Sequence, residues 1–326
     1  MNTIPPFANL TPDCVMNAID SLSLPCDGRL LALNSYENRV YQVGQDDGPP
    51  LVAKFYRPER WSSEAILEEH AFTLELAERE LPVVPPRIHQ GQTLHQFAGF
   101  QFAIFNKHGG RAPELESAST LEWMGRFIGR IHAVGALKPF AHRPALNIDT
   151  FGIGPRDFLL SHDFIPASLK PAWESAIALA LDGVRRSFDR AGDVAQIRLH
   201  GDCHIGNVLW TDAGPHFVDF DDSRSAPAIQ DLWMLLSGNR SEMTRQLIDI
   251  LIGYEDFCDF DPRELHLIEA LRTLRLIHYS GWLARRWHDP AFPAAFPWFN
   301  TEHYWQDRIL ELREQIALMD EPALVV

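Results

Sequence analysis

Across the first third of the chain, hydrophobic residues recur with a period of two, the spacing that lays one face of a strand against a core. Arg29 to Val43 and Leu51 to Tyr56 are β-prone runs separated by the polar turn QDDGPP, a pattern that predicts antiparallel strands joined by a loop. Leu51-Val52-Ala53-Lys54-Phe55-Tyr56 is the clearest of them. Ser62-Ser63-Glu64 reads as a helix entry, with Ala65, Leu67, Phe72 and Leu76 as its apolar face until the proline-rich VVPPRI segment. Thr93 to Phe97 and Phe100 to Phe105 predict a further strand pair that turns at Ala98-Gly99. Beyond Phe105 the polar NKHGGR stretch ends the strands, and its HGGR portion, 108 to 111, reads as a flexible exit. The period then lengthens to that of helices. Leu121, Met124, Ile128 and Ile131, and again Ile309, Leu312, Ile316 and Met319, step by three and four, and Glu264 to Trp287 is a third such segment. The pattern predicts an α+β, bilobal chain: a small antiparallel β lobe over residues 1–105 and a larger, mainly helical lobe over 106–326.

One island in the helical part does not fit a helix. Leu199 to Asp222 reads LHGDCHIGNVLWTDAGPHFVDFDD, with His200, Asp202, Asn207 and Asp219 at its centre. His200 and His204, with Cys203 and Asp202, are residue types that bind zinc. An i, i+4 histidine pair serves a metal most readily on a helix, however, and Gly201, Gly206 and the β-prone NVLW favour a loop leading into a strand. Phosphoryl transfer uses the same residues with better geometry. An alcohol attacking the terminal phosphate of ATP needs a carboxylate within reach of its proton, and the triphosphate needs Mg²⁺ held by hard oxygens. Asp202 suits the first task, Asn207 and Asp219 the second. NVLW and HFVDF, joined by TDAGP, are suited to pair as a hairpin, which brings Asn207 towards an Asp219 placed in an apolar strand.

HGDCHIGN and DFDD match the HGDxxxxN and D-[FLW]-[DE]-[DE] motifs of the aminoglycoside phosphotransferase branch of the protein-kinase-like superfamily, which the chain resembles in both lobes. Gly201 and Asp221 stand where HRD and DFG kinases have other residues. The resemblance implies that His200, Asp202 and Asp219 are catalytic, and that Lys54 in LVAKFY meets the α- and β-phosphates with Glu69 as its ion-pair partner, Glu68 being the close alternative. It further implies that Ser35 in SYEN lies at the nucleotide loop, Asn106 at the adenine hinge, and Asp231 in QDLWMLL at a helix start bracing the catalytic loop. At a finer grain, SYENRVYQV, HGDCHIGNVLW, VDFDDSR, QDLWMLL and RRWHDPAFPAAFPWF are similar to the bacterial stress-response kinase A family. That likeness implies an autophosphorylating, cytoplasmic, monomeric serine/threonine protein kinase that uses ATP and Mg²⁺, acts on a protein acceptor and serves in a stress response. A small-molecule O-phosphotransferase acting on an aminoglycoside, choline, homoserine or a sugar is the first alternative. A nucleotide-binding pseudokinase is disfavoured because Lys54, Asp202, Asn207 and Asp219 are all present.

Composition narrows the field further. With 29 Lys and Arg against 44 Asp and Glu, a net charge of −15, and no basic run, the chain is not expected to bind nucleic acid. No apolar stretch approaches the ~18 residues of a membrane span, and MNTIPPFANLTPDC lacks the marks of a leader. Four cysteines without CxxC spacing indicate neither a disulfide framework nor a zinc ribbon. Cys203 reads as a small packing residue before it reads as a redox-sensitive thiol, and Gly152-Ile153-Gly154 is only half of a dinucleotide fingerprint. Trp282, Trp287, Trp298 and Trp305 read as packing residues before a substrate groove.

Overall fold

A computed structural model describes residues 5–326; the leader-free reading of the N-terminus rests in part on residues 1–4, which lie outside the described residues. The elements run α1 (Pro12–Asp20), β1 (Cys26–Leu33), β2 (Arg39–Gln45), β3 (Leu51–Phe55), α2 (Ser63–Glu78), β4 (His95–Phe97), β5 (Phe100–Asn106) and α3 (Ala118–Gly135). After these come α4 (Gly154–Ser161), α5 (Lys170–Ala191), β6 (Ile197–Leu199), β7 (Val208–Thr211), β8 (Gly214–Phe217) and β9 (Arg224–Ala226). The chain closes with α6 (Ile229–Trp233), α7 (Arg240–Tyr254), α8 (Ile268–Arg286), α9 (Ala291–Ala295) and α10 (Glu302–Asp320). Among the described residues no helix is long and apolar enough to cross a membrane.

Two units divide the chain. The first takes the chain up to Pro113 together with Phe140–Arg143 and Ile205–Ser223; the second takes Glu114–Pro139, Pro144–His204 and Arg224–Val326.

The first unit is built on an antiparallel sheet of order β1-β2-β3-β5-β4. Ala53 and Phe55 of β3, with Phe102 and Ile104 of β5, join Val15 and Ile19 of α1 in one core. Lys54 alternates to the other face, opposite Ala103, which packs with Tyr56 and Ile66 of α2. The Ser62 hydroxyl accepts the Ala65 N–H at 3.2 Å and starts α2 where the sequence predicts it. The buried face of α2 differs from expectation: Leu67 is exposed, and the 3.6 period instead sets Glu69 among Ala65, Phe72 and Leu76. The Ala98-Gly99 turn forms as predicted, with both residues at positive φ. HGGR is not a free exit. Arg111 exchanges backbone hydrogen bonds with Trp210 at 3.0 and 2.6 Å, and Gly110 lies so close to Leu209 that a Cβ would meet it at 2.7 Å.

In the second unit α3 packs on α7 with almost no space between backbones: a Cβ on Gly125 would stand 1.9 Å from the Ile250 carbonyl oxygen. Helices α5 and α10 meet through Trp173 and Trp305, both wholly buried, with rings 6.2 Å apart and edge to face. Strands β6 and β9 pair antiparallel on either side of the HGD-to-DFDD segment in sequence. The helix expected from Glu264 starts later, at Ile268, after a 3-10 turn over Pro262–Leu267. Gly152-Ile153-Gly154 lies on helix, where a π turn over Asp149–Ile153 runs into α4.

Candidate active site

In the first unit the cationic centre is Lys54, buried on β3. Its ammonium donates to Asp219 at 2.7 Å and lies 3.5 Å from Asp221. Burial works against the charge, but Asp219, Asp221 and Glu69 outweigh it and hold the lysine above its usual range. Glu69 is therefore within electrostatic reach, although the ion pairs of Lys54 are with the two aspartates rather than with Glu69 as expected. The Glu69 carboxylate is 3.9 Å from Arg143, and burial pushes its pKa up to about 7 against the pull of Lys54 and Arg143. Glu68 is occupied elsewhere, accepting the backbone N–H groups of Ala141, His142 and Arg143 at 2.5 to 2.8 Å.

Asp219 is not in the strand the sequence suggests. Strand β8 ends at Phe217, and Asp219 adopts left-handed backbone angles, φ 59° and ψ 62°, before a 3-10 turn over Phe220–Asp222. Asp is one of the few residues that tolerate that region. The kink leaves its carboxylate 55% exposed, whereas Asp221 is sealed in. Asp221 pairs with Arg60 and accepts the Asn38 amide at 3.0 Å, while its carbonyl oxygen accepts from Arg143 at 2.7 Å. Burial raises its pKa, yet Arg60 and Lys54 bring it down to about 2. Asn38 also accepts the Arg57 N–H at 3.0 Å, so the SYEN segment is fastened to DFDD. Ser35 donates to the Asn38 carbonyl oxygen at 3.1 Å, and Asn106 ends β5, exposed. The β7–β8 hairpin forms, and the Val218 N–H donates to the Asn207 carbonyl oxygen at 3.0 Å, setting Asn207 across from the residue next to Asp219.

The second unit carries the HGD segment. Asp231, buried on α6, accepts the His200 N–H on one oxygen and the Gly201 N–H on the other, both at 2.9 Å. His132 approaches the first of these oxygens at 3.1 Å and the Tyr254 hydroxyl at 3.0 Å. Gly201 has φ +85°, a turn that a side chain would strain, and its carbonyl oxygen accepts from Gln230 at 3.1 Å. His200 is wholly buried, and its Nδ1 accepts the Asp202 N–H at 3.3 Å, so it holds the loop that displays Asp202. Asp202 accepts from Arg275 of α8 at 2.6 Å, and His204 lies 3.4 Å from its other oxygen. Cys203 is buried, which raises its pKa far above the usual thiol value and removes it as a reactive thiolate. Among the described residues, no group of three or more His, Cys, Asp and Glu side chains converges as a metal site.

The sequence reading missed Arg60, Arg143, His132 and Arg275. Isolated arginines on helical or loop segments read as solvated, and nothing in their spacing reveals a buried carboxylate as partner. Only Asn38, inside the quoted SYENRVYQV segment, had a signal that could have found it.

A family model for the phosphotransferase enzyme family matches residues 29–268. "Stress response kinase A" of Escherichia coli (strain K12) is 45% identical over 98% of this chain and 96% of its own. "Serine/threonine protein kinase RdoA" of Salmonella typhimurium (strain LT2) shows the same identity and coverage. Among solved structures, amicoumacin kinase hAmiN in complex with AMP-PNP, Ca²⁺ and Ami superposes with a TM-score of 0.73 at 18% identity, over 96% of this chain and 95% of that one. A microcompartment-associated aminopropanol kinase gives 0.68 at 16%, over 94% and 96%. The α+β kinase-like fold is common to all of these.

Proposed function

The chain belongs to the phosphotransferase enzyme family, and from that premise we propose that it is an ATP- and Mg²⁺-dependent serine/threonine protein kinase, autophosphorylating and active in a stress response. The observation that carries the protein acceptor is 45% identity, over nearly the whole of both chains, to a relative named as a serine/threonine protein kinase. The geometry supplies the parts such a reaction needs. Lys54, kept charged in a buried setting, suits the phosphates of a nucleotide. Asp219 offers a half-exposed carboxylate that already holds a cation, the Lys54 ammonium, and Asn207 adds an amide oxygen. These hard oxygens fit Mg²⁺, which when bound neutralises charge on the transferring phosphate. Ser35 and Asn106 are assigned to the nucleotide loop and the hinge. Asp202, displayed by a loop that Asp231 clamps from beneath, orients the acceptor hydroxyl and accepts its proton. The protein is assigned to the cytoplasm, and it is taken to act as a monomer.

The test is labelling with radioactive Mg-ATP. The purified protein should label itself or a generic protein acceptor on Ser or Thr. Asp202→Asn should still bind nucleotide and lose about 10²- to 10⁴-fold in transfer rate, the range of a general base. A variant retaining more than about a tenth of the rate would remove Asp202 from this role. ADP release on adding an aminoglycoside, choline, homoserine or a sugar, with no protein labelled, would move the assignment to a small-molecule kinase.

A further inference from the structure

The acceptor side of Asp202 is cationic. Arg275 donates to Asp202 at 2.6 Å, and this is its only polar contact among the described residues. Its side chain is 41% exposed, so most of a five-donor guanidinium remains available to a second anion. His204 adds an imidazole 3.4 Å from the other carboxylate oxygen. An acceptor carrying an ammonium group beside its hydroxyl would have to bring like charge against Arg275. One carrying a carboxylate would instead complete it.

A second feature lies one turn along the same helix. Tyr279, four residues on from Arg275 and therefore about 6 Å away along the axis, opens into a cavity of about 250 Å³. Its lining includes Tyr279, Trp298, Tyr304 and the charged residues Asp307 and Arg308. The Tyr279 and Trp298 rings stand 6.5 Å apart at 24°, and both are exposed. That volume falls short of the about 300 to 1,000 Å³ of sites that enclose whole small molecules, and it suits a single aromatic side chain.

We propose that Arg275 and the Tyr279–Trp298 cavity form an acceptor-peptide site that selects Ser or Thr flanked by an acidic residue, with an aromatic residue a further two or three positions along. The spacing follows from about 3.3 to 3.6 Å per residue of extended peptide against the 6 Å step on α8. The proposal rests on the protein-kinase reading and adds to it the class of sequence recognised. On this proposal an amino alcohol or amino sugar would be a poor acceptor.

The experiment uses the full-length protein with Mg-ATP and matched Ser/Thr peptides bearing Glu or Lys beside the acceptor, with Phe or Ala three positions on. The wild type should favour Glu over Lys by about ten- to hundred-fold in kcat/KM, the worth of one hydrogen bond to a charged group, and chiefly through KM. Arg275→Glu should reverse that order, and Tyr279→Ala should erase the preference for Phe while leaving the Glu preference. Equal rates on Glu and Lys peptides, or an Arg275→Glu variant that loses kcat alike on every peptide, would overturn the proposal; in the second case Arg275 would merely orient Asp202. Phosphorylation of an amine-bearing alcohol with no peptide labelled is a different failure, recognisable by its product, and would remove the protein-acceptor reading together with the site.

Discussion

Asp219 and Asp221 stand two positions apart, share Lys54 and do opposite work. The first is more than half exposed and available to a metal; the second is enclosed by Arg60, Lys54 and Asn38. Asp219→Ala should therefore cost less stability than Asp221→Ala, because Asp221 still stands 3.5 Å from the buried Lys54, and should abolish Mg²⁺-dependent nucleotide binding. Asp221→Ala should cost about 3 kcal/mol, because it takes the sealed carboxylate from both Lys54 and Arg60 and leaves Arg60 with Asp222 at 2.9 Å and Glu37 at 3.9 Å. Urea unfolding and calorimetry with Mg-ATP separate the two, and a stable Asp221→Ala would show that Asp222 and Glu37 suffice for Arg60. Sequence order was enough to single out Lys54, Asp202 and Asp219. It did not reveal that Asp219 leaves the strand, because alternation says only which side a residue faces and is blind to a residue at positive φ. The division of labour inside DFDD was hidden for a related reason: burial of a carboxylate depends on arginines that are distant in sequence.

At the level of elements, the short helix α6 is held at its start by a carboxylate and holds the HGD loop by another. Glu264, buried in the 3-10 turn before α8, accepts the Ile229 N–H at 2.8 Å, while Asp231 inside α6 secures His200 and Gly201. Burial pushes Glu264 up to about 7 from an ordinary value of 4.5. Below about pH 4.5 its carboxyl is protonated in folded and unfolded chains alike. Between there and about pH 7 the unfolded chain gives up a proton that the folded chain keeps, so stability falls as pH rises. Glu264→Gln should flatten that slope, leaving the share that Glu69, raised to about 7 in the same way, contributes. Urea unfolding of both forms at pH 5 and pH 7 measures it, and parallel slopes would mean that Glu264 titrates normally. The strand pairs, the catalytic hairpin and the helices around 121–131 and 309–319 follow from period and turn residues alone. Helices α1 and α5 escaped although each carries an early proline, Pro12 and Pro171, and Gly192 at φ +69° ends the second. Their buried faces do step by three and four, as Trp173, Ile177, Ala180 and Val184 do, so period and proline together mark them.

For the molecule as a whole, the arithmetic of charge matters less than where the charges are fastened. The first unit draws the ion partners of its buried lysine from a stretch far along the chain: Asp219 and Asp221 pair with Lys54, and Phe220 meets Phe72 edge to face at 6.1 Å. A chain ending at Pro113 would keep the five strands and lose all three partners. Loss of one buried ion partner costs about 3 to 5 kcal/mol against a typical total of about 5 to 15. The truncated chain should therefore show no cooperative thermal transition by circular dichroism, and a sigmoidal melt would show that Glu69 alone suffices for Lys54. The same arrangement sets a timetable for biosynthesis. From Pro113 to Ser223 lie about 110 residues, which a ribosome adds in about 5 to 20 s. For that interval the nascent sheet waits, with Lys54 facing Glu69 and neither of its ion-pair aspartates, for the hairpin that completes it. That makes this interval the stage at which a chaperone bound to the emerging polypeptide would have the most to protect.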